Sequence, residues 1–180
     1  MSAPQISVAT SPGLAYAGQL ADGGLDQYAR SYSNNEESAE IAFGLFVTID
    51  ASAEDTGALL PTADTELPAG VVLLSQAYDK DSELGDTGLK PGVTMDVLSR
   101  GRVYVQAEEA VEPGDDVRVR IAIDDEEDPL QILGGFAGST AVPDSMMVLT
   151  NARWLTTAAA GGLAVLEFDV LGMTLTADTE

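Results

Sequence analysis

The sequence predicts an all-β fold, a small β-barrel or sandwich domain with an extended N-terminal arm. Three observations carry that prediction. Apolar and polar residues alternate with period two in short runs such as Arg102-Val103-Tyr104-Val105 and Val117-Arg118-Val119-Arg120, the pattern of half-buried strands. Turn chemistry recurs between the runs, with Pro68-Ala69-Gly70, Pro91-Gly92 and Pro113-Gly114-Asp115, where Pro presets φ and Gly accepts positive φ. No run repeats apolar residues at the helical period over a useful length.

Residues 1–40 read as the arm and residues 41–180 as the β-domain. The arm is rich in Ser, Ala, Gly, Asn and Gln, with apolar residues scattered as Leu14, Tyr16, Leu20, Leu25, Tyr28 and Tyr32. That is too little to bury by itself and too much for a solvated tail, so the segment is expected to order against a partner. Ile41-Ala42-Phe43-Gly44-Leu45-Phe46-Val47-Thr48-Ile49 is rich in β-branched and aromatic residues and reads as a strand. Residues 50–69 read as a polar loop, Val71-Val72-Leu73-Leu74-Ser75 as a short buried strand, and residues 79–92 as a second loop. Val93-Thr94-Met95-Asp96-Val97-Leu98 leads through Ser99-Arg100-Gly101 into the alternating strand at 102–105. After the strand at 117–120 comes the acidic loop Asp124-Asp125-Glu126-Glu127-Asp128-Pro129, then a glycine-rich turn, Gly134-Gly135-Phe136-Ala137-Gly138. Asn151-Ala152-Arg153-Trp154-Leu155-Thr156 looks extended, residues 158–162 turn, and Leu163-Ala164-Val165-Leu166-Glu167-Phe168-Asp169-Val170 closes the domain as a strand.

Composition narrows the function. The 180 residues carry 30 acidic and 8 basic side chains, a formal net charge of -22. Such a field repels phosphate backbones and anionic lipid, so direct nucleic-acid or membrane contact is not expected. Low lysine, only Lys80 and Lys90, with abundant Asp is also the composition of proteins from high-salt environments. Cysteine and histidine are absent. That removes thiolate nucleophiles, His-based triads and Cys/His zinc sites. The start of the chain lacks the basic and apolar regions of a signal peptide, and no apolar run reaches the roughly 20 residues that span a bilayer.

The acidic run at 124–128 lacks the alternate spacing and the glycine of a calcium loop. The carboxylates offer no favoured pair for glycoside hydrolysis. Lys80 and Lys90 sit among acids, which favours exposed, charged amines over a Ser–Lys dyad. The expected catalytic, cofactor and metal residues are therefore none. Trp154, the single tryptophan, reads either as a core residue or, beside Arg153, as an interface anchor. Arg100 and Arg102 flank Gly101 and pair either with local acids or with acids on a neighbouring subunit.

Three blocks resemble the structural cement, or capsid decoration, proteins of tailed bacteriophages. The first is Pro12-Gly13, then Gly18-Gln19-Leu20-Ala21-Asp22-Gly23-Gly24-Leu25-Asp26, Asn35-Glu36-Glu37 and Ile41-Ala42-Phe43-Gly44. The second is Val97-Leu98-Ser99-Arg100-Gly101-Arg102-Val103-Tyr104-Val105 leading to Ala110-Val111-Glu112-Pro113-Gly114-Asp115-Asp116-Val117. The third is Asn151-Ala152-Arg153-Trp154 with Gly161-Gly162-Leu163-Ala164. They span most of the chain in the family's order; the acidity and the loop at 124–129 depart from it.

The resemblance implies a non-enzymatic protein on the outer capsid surface of the virion, made in the host cytoplasm. Its partners would be the major capsid protein and itself, as a homo-oligomer with a trimer favoured over a dimer. Its arm would clamp adjacent subunits. The interface candidates are Leu14, Tyr16, Leu20, Leu25, Tyr28, Arg30, Tyr32, Arg153 and Trp154. A carbohydrate- or cell-surface-binding β-domain of a phage tail or spike is the alternative, and a carboxylate hydrolase a third. The first would show an exposed aromatic platform, the second a cleft holding two acids.

Overall fold

The computed structural model describes residues 15–21, 27–53, 56–74, 88–124, 128–139 and 145–177. Among them no α-helix is present, and thirteen strands are: β1 (Tyr28–Asn34), β2 (Ile41–Ala42), β3 (Phe46–Ile49), β4 (Gly57–Leu59), β5 (Pro68–Val72), β6 (Gly88–Leu89), β7 (Thr94–Gln106), β8 (Arg118–Arg120), β9 (Phe136–Ala137), β10 (Met146–Leu149), β11 (Ala152–Trp154), β12 (Leu163–Asp169) and β13 (Leu175–Ala177).

β7 is the spine. The largest sheet runs β1-β4-β3-β5-β7-β12-β11, and β1 also pairs with β7. That extra pairing closes β1, β4, β3, β5 and β7 into a five-stranded barrel, which removes its free edges. β1 meets β4 in parallel and β7 antiparallel. The second half of β7 leaves the barrel and pairs along its length with β12, from Leu163↔Gln106 to Asp169↔Arg100. That extension packs on a second sheet, ordered β13-β10-β8-β9. Barrel and sandwich thus share one strand.

The burial along β7 shows how the sequence achieves this. Met95 and Val97 point into the barrel, with Tyr32, Ile41, Val47, Ala58 and Val72. Leu98, Val103 and Val105 point into the second core, with Val119, Phe136, Trp154, Leu166 and Phe168. Val97 and Leu98 are consecutive and both buried, which strict alternation forbids. A bulge resolves the conflict: Tyr28 pairs with Arg100 and Ala29 with Leu98, so Ser99 is the extra residue. β5 is buried at all five positions for a related reason. Val71 faces the second core and Val72 the barrel interior.

Close backbone approach fixes the crossing. Gly70 has φ +136°, and a Cβ there would sit 1.9 Å from the Leu98 carbonyl oxygen. Gly44, at φ +82°, divides the expected strand over 41–49 into β2, a turn and β3, because a left-handed residue interrupts the pleat. Phe46 on the barrel wall meets Phe136 edge-on at 6.3 Å, and Phe136 meets Trp154 edge-on at 6.4 Å. All three rings lie in the second core, so this aromatic chain ties barrel strand β3 to β9 and β11.

The described part of the expected arm belongs to the β-structure. β1 is a barrel strand, and its buried Asn34 donates to the carbonyls of Leu89 and Ala39 while accepting from the Glu36 amide. Residues 18–21 continue along the same edge of β7: Gly18 N–H donates to Tyr104 O, Tyr104 N–H to Gln19 O, and Ala21 N–H to Arg102 O. Strands also stand where loops were expected. β4 lies within 50–69, β6 within 79–92, and β9 follows the Gly134-Gly135 turn.

Candidate docking surface

The face of β7 that lines the barrel at Met95 and Val97 becomes a solvent-facing surface past the bulge, at Arg100, Arg102 and Tyr104. Across it, register places charges in rows. Arg100 pairs with Asp169, and Arg102 with Glu167. Glu167 is in turn opposite Arg153 on β11. The side chains follow the register. Arg100 Nε lies 3.3 Å from the Asp169 carboxylate. Arg102 donates to Glu167 Oε2, and Arg153 donates through Nε, at 2.8 Å, and through Nη2 to Glu167 Oε1. One carboxylate is held between two guanidinium groups. The hydrogen bond from Arg102, supported by that from Arg153, holds Glu167 below the usual glutamate range against the opposing effect of partial burial.

The row continues onto β1. Tyr28 is the cross-strand partner of Arg100, and Arg30 that of Val97. The Arg30 guanidinium lies 5.4 Å above the Tyr28 ring, and its Nε donates to the Tyr28 hydroxyl at 3.3 Å. Tyr28, Arg30, Arg100, Arg102 and Arg153 therefore share one side of the sheet.

The interface candidates separate accordingly. Tyr28, Arg30 and Arg153 stand on one side of the sheet and are exposed, with Tyr28 and Arg30 in contact and Arg153 three strands away on β11. Tyr16 is exposed at 69%. Leu20 is also exposed, but it bridges to Val103 and so projects from the other side of the sheet edge. Two candidates are corrected by burial. Tyr32 is 4% exposed inside the barrel and Trp154 2% exposed in the second core, where its indole N–H donates to the Asp116 carbonyl at 3.3 Å. Burying these large rings stabilises the cores more than presenting them to a partner would, so neither side chain reaches the surface. Leu14 and Leu25 lie outside the described residues.

Arg100 and Arg102 take the local option: their acids are in the same chain. Asp169 and Glu167 were not singled out from sequence, although the signal was there. Two arginines two apart on one strand, and two acids two apart on another, are the pattern of cross-strand pairs.

A second charged cluster forms around the buried Arg120 of β8. Arg120 donates to both oxygens of Glu108 at 2.8–3.0 Å and to Asp124 at 3.1 Å. Ser145 also donates to Asp124. Burial pushes the Glu108 carboxyl up, and the Arg120 fork pulls it back. The hydrogen bond from Ser145 holds Asp124 down. Both acids are engaged by one arginine, so the cluster ties the β8 region to the start of the acidic loop. Among the described residues no group of three or more His, Cys, Asp or Glu side chains is placed to hold a metal ion.

Residues 4–169 match the family described as structural cement protein (E217 gp24/Pam3 gp6). The chain belongs to the phage structural cement protein family. Among solved structures, a chain from "The capsid of Myoviridae Phage XM1" is similar, with a TM-score of 0.63 and 15% identity over 93% of this chain and 98% of that one. At that identity the likeness is one of fold. A comparison with curated proteins finds no match. Membership accounts for the barrel-plus-sandwich body and assigns a capsid cement role to it.

Proposed function

We propose that this cement protein docks on the outer capsid surface and clamps adjacent major capsid protein subunits, without catalysing a reaction. The family match over residues 4–169 carries the reading. The physics supports it. A formal charge of -22 is tolerable on a surface separated by the shell from the packaged DNA. Repetition on a lattice multiplies modest contacts into high avidity. The arm reading over residues 1–40 narrows to its front: residues 1–14 are proposed to contact a neighbouring subunit, because residues 18–21 and β1 already pair with β7. Tyr16, Tyr28, Arg30 and Arg153 are the proposed grips of the body, with Leu20 exposed on the other side of the sheet edge. The chain is proposed to act as a homo-oligomer, a trimer over a dimer.

The deciding experiment is quantitative analysis of purified particles. Copy numbers near those of the shell protein, and shells that rupture at lower temperature without this chain, are the expected results. Particles lacking the chain altogether would sink the reading. Deleting residues 1–14 is expected to leave the melting profile of the free protein intact and to weaken shell binding. Unchanged binding would remove residues 1–14 from the clamp.

A further inference from the structure

The cations of this acidic chain are not spread evenly. Of its six arginines, Arg118 and Arg120 are buried in the second sheet. The other four, Arg30, Arg100, Arg102 and Arg153, stand on the single surface that runs from the barrel mouth across β7, β12 and β11. Among the described residues two acids pair with them there, Asp169 and Glu167. Among the described residues, four arginines against two acids make this face an arginine-rich island on a molecule of charge -22.

The island also carries interface chemistry. Tyr28 is 52% exposed, Leu163 37% and Leu171 84%. Leu163 stands on the same side of β12 as Glu167 by period two, and the Leu171 amide donates to the Asp169 carboxylate at the strand's end. Exposed Tyr and Arg set beside Leu, with few acids, is the composition of protein-binding patches. The arginines are already aligned by their internal partners. Asp169 meets Arg100 through Nε, and Glu167 meets Arg153 through Nε and Nη2. A guanidinium has five N–H donors, and the side chains of Arg100 and Arg153 are 52% and 67% exposed. They are held in place, yet donor capacity remains.

We infer that this face docks onto a carboxylate-bearing, partly apolar segment of the shell subunit, with Arg100 and Arg153 binding the carboxylates and Tyr28, Leu163 and Leu171 covering the apolar part. The inference rests on the cement reading and adds the docking face and the partner's chemistry. The shell subunit is preferred to a second copy on this face because an isologous contact would set its arginines against one another. On a shell subunit, the island fixes orientation: it is the face of this molecule that attracts an anionic surface, while the acidic remainder is turned away.

The test uses the full-length protein and shells assembled without it. Binding is measured for the wild type, Arg100→Gln/Arg153→Gln, Arg100→Lys/Arg153→Lys and Lys90→Gln, at low and high NaCl, with thermal melting as a check on folding. Both arginines are exposed, so the variants are expected to fold. The glutamine pair is expected to bind about ten-fold or more weakly at low salt, with the gap narrowing at ~1 M NaCl, where the Debye length falls to about 3 Å. The lysine pair should recover part of the loss, and Lys90→Gln, on the turn after β6, should bind as wild type. Wild-type binding matched by the glutamine pair would overturn the docking face and leave the cement reading standing. Wild type that fails to bind shells at all would overturn both. Dissolution of a wild-type oligomer by the glutamine pair, with shell affinity kept, would reassign the face to self-contact and so refute the inference.

Discussion

Glu167 carries two arginines, and its protonation has a definite sign. The folded-state pKa is depressed, chiefly by the hydrogen bond from Arg102. The stabilisation is therefore present above the unfolded glutamate value, about 4.3, and is lost as pH falls through the lower folded value. Glu167→Gln is expected to cost about 1 kcal/mol or less at pH 7, the scale of a partly exposed pair. The cost should vanish in strongly acidic buffer, where both proteins carry a neutral side chain. Urea melts of the two proteins at neutral and acidic pH measure this; a cost independent of pH would mean that Glu167 acts by packing and not by charge. Trp154 gives the contrasting residue-scale case. Its ring is 2% exposed and touches Phe136, so Trp154→Ala should cost about 3–5 kcal/mol in the same assay. Sequence left Trp154 open between core and interface because the decision rests on Phe136, eighteen positions away in the chain and brought alongside only by the second sheet.

At the scale of elements, the strands that alternate cleanly were legible and those that serve two cores were not. β12 and the second half of β7 show their period-two pattern because one face is core and the other more open, whereas β8 alternates Arg and Val although all three of its residues are buried. β1 hid inside the expected arm: only Tyr32 and Asn34 of its seven residues are fully buried, and its neighbours are serines, Ala29 and Arg30. β4 and β6 are three and two residues long, too short for any periodicity to register. β10, read as part of no strand, has Met146 and Met147 both buried because its two faces and its flanking strands leave little exposed. The candidate surface was partly legible for the same reason. Arg153 and Arg30 were named, but their standing on one side of the sheet depends on the β7 bulge and on β11–β12 register, which no local pattern encodes. The crossing at Gly70 supplies the element-scale prediction. A methyl group there would lie 1.9 Å from the Leu98 carbonyl oxygen, far inside van der Waals contact, at φ +136°. Gly70→Ala should therefore cost about 2 kcal/mol or more and separate β5 from β7. Loss of amide-exchange protection at Leu73, whose N–H donates to Asp96 O on β7 next to the Val71–Leu98 and Val72–Val97 pairs, is the local readout. Protection equal to wild type would show that the crossing relaxes freely.

For the whole molecule, charge sets two salt responses of opposite sign. Thirty acids and eight bases in one small body repel each other, and that repulsion falls as the Debye length shrinks from about 10 Å at 0.1 M to about 3 Å at 1 M salt. Salt also weakens the Arg–Glu pairs of the docking face, but these are a few partly exposed contacts worth about 1 kcal/mol or less each. The buried Glu108–Arg120 pair, with side-chain exposures of 9% and 4%, is shielded from the solvent ions. Net repulsion should therefore win, and the free protein should melt several degrees higher at ~1 M NaCl than at ~0.05 M. NaCl and KCl should act alike, because screening depends on ionic strength and no site for a particular cation is invoked. Shell binding through the arginine island should move the other way and weaken over the same range, since its attraction is between exposed charges. Thermal melts and shell-binding isotherms in matched buffers decide between this and a salt-adapted interface. A protein that melts lower in high salt would mean that its ion pairs outweigh its self-repulsion, and shell binding that strengthens with salt would mean that the contact is apolar rather than charge-directed.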